Sequence, residues 1–325
     1  MRFTGFTGFT GFSGEGKRMG SHSSDTLDTL GRGYVRDAPG SLGKGWLAAR
    51  YVNPRLAKRP RRRVVHTRFG ARFAVDTQDV IQRYLYIFGI WEPHITRWLQ
   101  NRLRPGDTFV DIGANIGYYS VLASGLVGGE GRVVSVEASP VFHERVAQHV
   151  RLNGCRNVRA VNAAVSDSRK KLTFVLASSA NLGANSIVPY DGPAESSFEI
   201  EAVPLTELLD PDEITRARVI KIDVEGAEGS VVRGMVPLFD KLRPDVEIAV
   251  EVAPGRMAQL GDSIEELLTT MRAHGFHTYR IDNDYLPDSY PLAIRSTSVV
   301  PERWRGSVFE QCDLIFSRVD AETLS

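Results

Sequence analysis

Cysteine is nearly absent from this chain, with two residues, Cys155 and Cys312, in 325. Two thiols cannot build a disulfide framework or a cysteine-based zinc site, and such sparse use suits a reducing compartment. Long hydrophobic runs are missing as well: no stretch of about 18 apolar residues occurs, and no apolar segment behind basic residues opens the chain. Neither a membrane span nor a secretory signal is supported, which points to a soluble, cytoplasmic protein. Net charge is close to nil, +1 from 40 basic and 39 acidic residues. That balance hides an asymmetry, because residues 1–72 hold 15 Lys/Arg against 4 Asp/Glu and the remainder is correspondingly acidic.

With 42% hydrophobic and 24% charged residues, the composition is that of one large globular domain with an appendage. The appendage begins with the repeat FTGFTGFTGFSG and continues through Ser/Asp/Gly-rich sequence without hydrophobic periodicity. It has too little to bury to offset its ordering entropy, so residues 1–62 are expected to be a disordered basic segment. A translation start at Met19 and an Arg-rich transit peptide are alternative readings of the same stretch. The cluster RPRRR (59–63) has the charge to neutralise phosphate, yet no aromatic stacking pattern accompanies it. It reads as a solvated linker, and a nucleic-acid partner is disfavoured.

Residues 63–105 read as an N-terminal helical or lid extension. Ile95, Trp98, Leu99 and Leu103 sit at helical spacing behind Pro93, with Pro105-Gly106 as the stop, and VIQRYLYIFGIW before them reads as packing against the main domain. From 106 to about 320, short apolar runs alternate with amphipathic stretches. Strands are expected at TFVDI, RVVSVE, VRAVNAA, RVIKIDV, VEIAVEV, FHTYRI and CDLIFS, the last two as an antiparallel pair at the sheet edge. Their continuous hydrophobicity predicts an α/β, doubly wound, mainly parallel sheet covered on both faces. KLTFVL and FEIEAVPL, separated by a polar loop, predict a small β insertion.

The chemistry concentrates in FVDIGANIGYYS (109–120), a strand ending in Asp111 and a turn with Gly113, Asn115 and Gly117. Such a turn lets a ligand approach the backbone at the carboxyl edge of a sheet. Glu137 ends the next strand, where an acid can accept both ribose hydroxyls. Asn115 stands where a dinucleotide turn needs a bare glycine, and Asp111 would repel phosphate. NAD is therefore disfavoured, whereas the ammonium and sulfonium of S-adenosylmethionine suit an acidic strand end.

DTQDVIQRYLYIFGIWEP, RPGDTFVDIGANIGYYS, VVSVEASP, VNAAVSD, VIKIDVEGAE and CDLIFSR, in that order over residues 64–318, resemble the FkbM-type S-adenosylmethionine-dependent methyltransferases. The resemblance implies a seven-stranded, Rossmann-like methyltransferase sheet and O-methylation of a sugar or polyketide-type hydroxyl. By motif it places Asp111, Gly113, Asn115 and Gly117 along the methionine half of the cofactor and Glu137 on the ribose. Ala138, Ser139, Ala164 and Val165 would border the adenine.

A hydroxyl attacking a sulfonium methyl must lose its proton as charge develops, and a positioned carboxylate can take it. Asp223, which also counts among the cofactor contacts, is the first choice for this base; Glu225 is second, with Glu228 in the same turn. The rival role for Glu225 and Glu228 is to cap the following helix. Glu251 at the next strand end opens a metal-assisted alternative, although no third ligand is forced and no metal is expected. His94 and His143 are weaker bases by position. Nucleic-acid methylation lacks its motif here, since IDVEG stands where an Asn/Asp-Pro-Pro-aromatic sequence would be needed.

Overall fold

The structure, a computed structural model, describes residues 22–177, 194–296 and 299–325. Its centre is an eight-stranded sheet built from β3 (Thr108–Ile112), β4 (Arg132–Glu137), β5 (Val158–Asn162), β9 (Ala217–Ile222), β10 (Glu247–Val252), β11 (His277–Ile281), β12 (Glu302–Arg303) and β13 (Cys312–Ser317). Ahead of it lies a hairpin of β1 (Arg62–His66) and β2 (Arg72–Asp76). Beside it, β6 (Ala164–Val165), β7 (Lys170–Ala177) and β8 (Ala194–Val203) form the inserted sheet that the alternating runs predict.

The large sheet runs β12-β11-β13-β10-β9-β3-β4-β5. The pairs from β10 to β5 are parallel, and β13 is antiparallel to both β10 and β11. Every residue of β3 is buried, as continuous β-branched sequence between two helical layers requires. From β3 the chain winds outward through β4 and β5, then returns to place β9 against the other side of β3. The strand order thus reverses between β3 and β9, and a doubly wound sheet opens a crevice at the carboxyl ends of such a pair. The two-residue β12 beyond β11 makes the sheet eight-stranded rather than seven-stranded. VRAVNAA is not one strand: β5 stops at Asn162, and Ala164–Val165 crosses to the inserted sheet.

The expected disorder of residues 1–62 is corrected for the part the structure describes. Residues 22–58 fold as helices His22–Asp37, Lys44–Leu47 and Asn53–Lys58, with a π-helical turn at Ala48–Val52. Val35, Ala48, Val52 and Leu56 are buried in the same apolar cluster as Leu85 and Phe88. The segment escaped a local pattern because its apolar partner lies in helix Val80–Phe88. Its arginines are not all solvated either. Arg32 Nε donates to the Tyr86 carbonyl (2.6 Å) and Arg36 Nη1 to that of Leu85 (3.4 Å), where cations suit the last carbonyls of a helix. Arg62, read as linker, lies in β1 and pairs with Asp76 at 2.8 Å. The initial repeat and the loop 178–193 lie outside the described residues.

Candidate active site

Asp111 and Lys221 are register partners on β3 and β9, so their side chains share one face of the sheet. Asp223 follows two residues after Lys221, and Lys221 Nζ holds its Oδ2 at 2.8 Å. Burial alone would lower the Lys221 ammonium, but the carboxylates of Asp223, Glu92 and Asp111 around it outweigh that and raise it. Asp111, 1% exposed, accepts a hydrogen bond from Ser120 Oγ (2.6 Å). Burial pushes its carboxyl up to about 6, despite the opposing charge of Lys221.

The turn after β3 passes close to the one after β9. Gly113 has φ +83°, and a Cβ there would stand 1.7 Å from the carbonyl oxygen of Asp223. The Asp223 N–H in turn donates to Ile112 O (2.9 Å), so the two strand ends are stitched together. Asn115 takes the left-handed region (φ 51°), where Asn is better tolerated than most residues. Its N–H donates to Glu137 Oε2 (2.7 Å), while the Ser139 N–H donates to Oε1 (2.8 Å). Burial pushes the Glu137 carboxyl up to about 7.

These residues border a cavity of about 280 Å³ at the switch point. Its apolar lining includes Ala138, Phe142, Ala164, Val165 and Leu172, the last from the inserted sheet. Its polar lining includes Glu92, Lys221, Asp223, Glu251, Tyr285 and Gln311. Gly113, Asn115, Glu137, Ala138, Ala164, Val165, Asp223 and Glu225 all lie on its wall. Asp111, Gly117 and Ser139 stand behind it. Gly117 opens helix Tyr118–Val127 with φ +78° against Val146, and Ser139 caps helix Pro140–Asn153. Glu225, itself at φ 56°, is paired with Arg256. Glu228, the first residue of its helix, accepts from the Gly226 N–H (2.8 Å) in the turn before it. His94 Nδ1 lies 2.6 Å from Asp282 O, and neither His94 nor His143 is among the described residues on the wall.

Sequence reasoning missed Glu92, Lys221 and Tyr285. Lys221 carried a signal, a single cation inside the apolar run VIKI; Glu92 lies within the resembling stretch DTQDVIQRYLYIFGIWEP and Tyr285 in an irregular segment, and neither was assigned a role of its own. Glu92 is 2% exposed, sits at φ 40°, and accepts from the Tyr119 hydroxyl. The Tyr285 hydroxyl lies 2.8 Å from Glu92 Oε1 and 3.2 Å from Glu251 Oε1, able to donate to one at a time. Burial and the neighbouring Asp223 and Asp313 push Glu251 well above the usual carboxylate range. Chemically, the cavity offers an apolar slot, an acid able to take a vicinal diol, and a cluster of carboxyl groups suited to positive charge.

Comparison with known proteins finds likenesses to methyltransferases. The family model described as the methyltransferase FkbM domain matches residues 111–278. The hexuronic acid methyltransferase AglP of Haloferax volcanii is 26% identical over 194 residues, 59% of this chain and 76% of that protein. Among solved structures, methyltransferase FkbM from Methylobacillus flagellatus KT aligns over 85% of this chain and 60% of its own, at 16% identity and a TM-score of 0.37. Fibrillarin from Aeropyrum pernix, in complex with S-adenosyl-L-methionine, aligns over 78% and 82%, at 12% identity and a TM-score of 0.40.

Proposed function

The chain belongs to the FkbM family of S-adenosylmethionine-dependent methyltransferases, and from that premise we propose that it O-methylates a hydroxyl of a sugar or of a glycosylated or polyketide-type metabolite, with Asp223 as general base. The observation that carries this reading is the placing of Asp223 and Glu251 on the same cavity as Gly113 and Glu137. A cytoplasmic setting suits the two free thiols, Cys155 and Cys312.

The cavity fits the cofactor on its own terms. Gly113 lines the cavity where its turn packs against the Asp223 carbonyl, a contact that leaves no room for a side chain. The Glu137 carboxylate, fixed by two backbone N–H groups, keeps lone pairs for the ribose hydroxyls. Phe142, Val165 and Leu172 offer apolar surface to the adenine, and Asp111 lends negative charge from behind the turn. When bound, S-adenosylmethionine supplies a methyl group on positively charged sulfur, open to in-line attack by oxygen.

The chain's own residues supply orientation and a proton acceptor. Lys221 anchors Oδ2 of Asp223 and leaves Oδ1 to take the hydroxyl proton. The Lys221 ammonium lies 4.9 Å from the centre of the Tyr119 ring, which fixes its position from the other side. Glu225, bound to Arg256, shapes the turn that carries Asp223 and stands second as a proton acceptor. The sugar acceptor is supported by the polar wall and by the hexuronic acid specificity named for the Haloferax relative.

Steady-state methyl transfer by Asp223→Asn tests the base. Its kcat should fall by about 10²–10⁴-fold, the usual worth of a positioned base. Transfer at the wild-type rate would remove Asp223 from the chemistry.

A further inference from the structure

The acceptor side of the cavity is built where two irregular segments meet. Trp91, just before helix Pro93–Arg102, and Tyr285, in the stretch after β11, both form part of the wall. Their ring centres are 5.5 Å apart with planes inclined by 34°. The pair is braced from behind. Tyr84 packs edge-on against Trp91 at 5.6 Å, and its hydroxyl donates to the Tyr285 carbonyl (2.7 Å). The Glu92 N–H donates to the Tyr290 hydroxyl (3.2 Å). A wall held this way is ordered before a ligand arrives, which lowers the cost of binding.

Beside the two rings stand Glu92, Glu251 and Gln311, with Gln311 Nε2 donating to Glu251. An aromatic face next to a rim of carboxyl and amide groups matches a pyranose, which has an apolar C–H face and an edge of hydroxyls. The charge of this corner narrows the choice further. The two cations on the described wall are both engaged, Lys221 by Asp223 and Arg256 by Glu225. A sugar carboxylate would have to be buried in this corner as an unpaired charge, with no cation on the described wall left for it. Burial pushes both of those carboxyl groups up, so they can donate as well as accept hydrogen bonds.

We propose that Trp91 and Tyr285 form the acceptor subsite, packing against the C–H face of a neutral pyranose ring while Glu92, Glu251 and Gln311 take its hydroxyls. The inference rests on the methyltransferase reading above and adds a preference that the named hexuronic acid relative does not share.

The test measures methyl transfer from labelled S-adenosylmethionine to methyl glycosides of glucose, galactose, mannose and rhamnose, to methyl glucuronoside, and to catechol. S-adenosylhomocysteine binding is measured by calorimetry on the same samples. The neutral glycosides should be preferred to the glucuronoside by about tenfold or more in kcat/KM. Trp91→Leu and Tyr285→Leu should raise KM for the preferred glycoside by about tenfold, with cofactor affinity unchanged and Trp91→Phe and Tyr285→Phe restoring most of the loss. Preference for the glucuronoside, transfer to catechol alone, or an unchanged KM in both leucine variants overturns the subsite. Each of those results with intact S-adenosylhomocysteine binding leaves the cofactor site standing, whereas folded protein that binds no S-adenosylhomocysteine removes the reading beneath it.

Discussion

Gly113 is the position where a single methyl group would do the most damage. The added Cβ would fall within bonding range of the Asp223 carbonyl oxygen, and φ +83° is strained for any other residue. Gly113→Ala should therefore cost at least about 3 kcal/mol in stability or cofactor binding, read by thermal melting and calorimetry. A variant that melts and binds as wild type would show that β3 and β9 are not in this contact. Glu228 supplies a second residue-scale prediction. Its carboxyl is 1% exposed, one oxygen meets no hydrogen-bond donor among the described residues, and burial pushes it up to about 7 from about 4.5. A raised folded-state pKa means that the protonated form is the stable one, so stability is full below about pH 4.5 and declines as pH rises through 7. The decline from this group is on the order of 2–3 kcal/mol, and Glu228→Gln should flatten that part of the profile in urea titrations at pH 5 and pH 8. Of the charged residues in the site, Asp111, Glu137, Asp223 and Glu225 were legible because each stands at a strand end or in the turn after it. Lys221 was passed over because a lysine in an apolar strand reads as an edge residue until the register sets it beside Asp111.

Helices 22–58 show where local pattern fails. Leu56 is 2% exposed and is packed in the cluster that includes Leu85 and Phe88, yet nothing in its own neighbourhood announces a core position. Leu56→Ala should lower the unfolding free energy by about 2–5 kcal/mol in urea titrations, the usual cost of an emptied leucine site. An unchanged midpoint would return the segment to the disordered appendage that its composition suggests. Strands of the large sheet, by contrast, were readable almost to the residue, because burial on both faces forces continuous β-branched sequence such as TFVDI and RVVSVE. Pro93 and the spacing of Ile95, Trp98 and Leu99 likewise located helix Pro93–Arg102. Shorter pieces, the β1–β2 hairpin and β12, were not legible, since two to five residues in irregular surroundings carry too few positions for a period to emerge.

On the scale of the whole molecule, the order of strands decides where chemistry can happen. Reversal between β3 and β9 brings three separate stretches to one crevice: the turn at 113–117, the strand end at 137 and the turn at 223–228. The cofactor half was legible because its residues follow regular strands at fixed places. The acceptor half was not legible residue by residue, because Trp91 and Glu92 stand 193 or more positions before Tyr285 and Gln311 in the chain and meet them only when the fold closes. The central claim is that this crevice is an S-adenosylmethionine site with Glu137 on the ribose. Calorimetric titration of the full chain with S-adenosylmethionine, S-adenosylhomocysteine and NAD, in wild type and Glu137→Ala, tests it most directly. The first two ligands should bind and NAD should not, and the variant, checked for folding by its melting curve, should weaken both by about 10–100-fold, the worth of a charged hydrogen-bond acceptor. Binding of NAD, or no binding by a folded wild-type protein, would contradict the account.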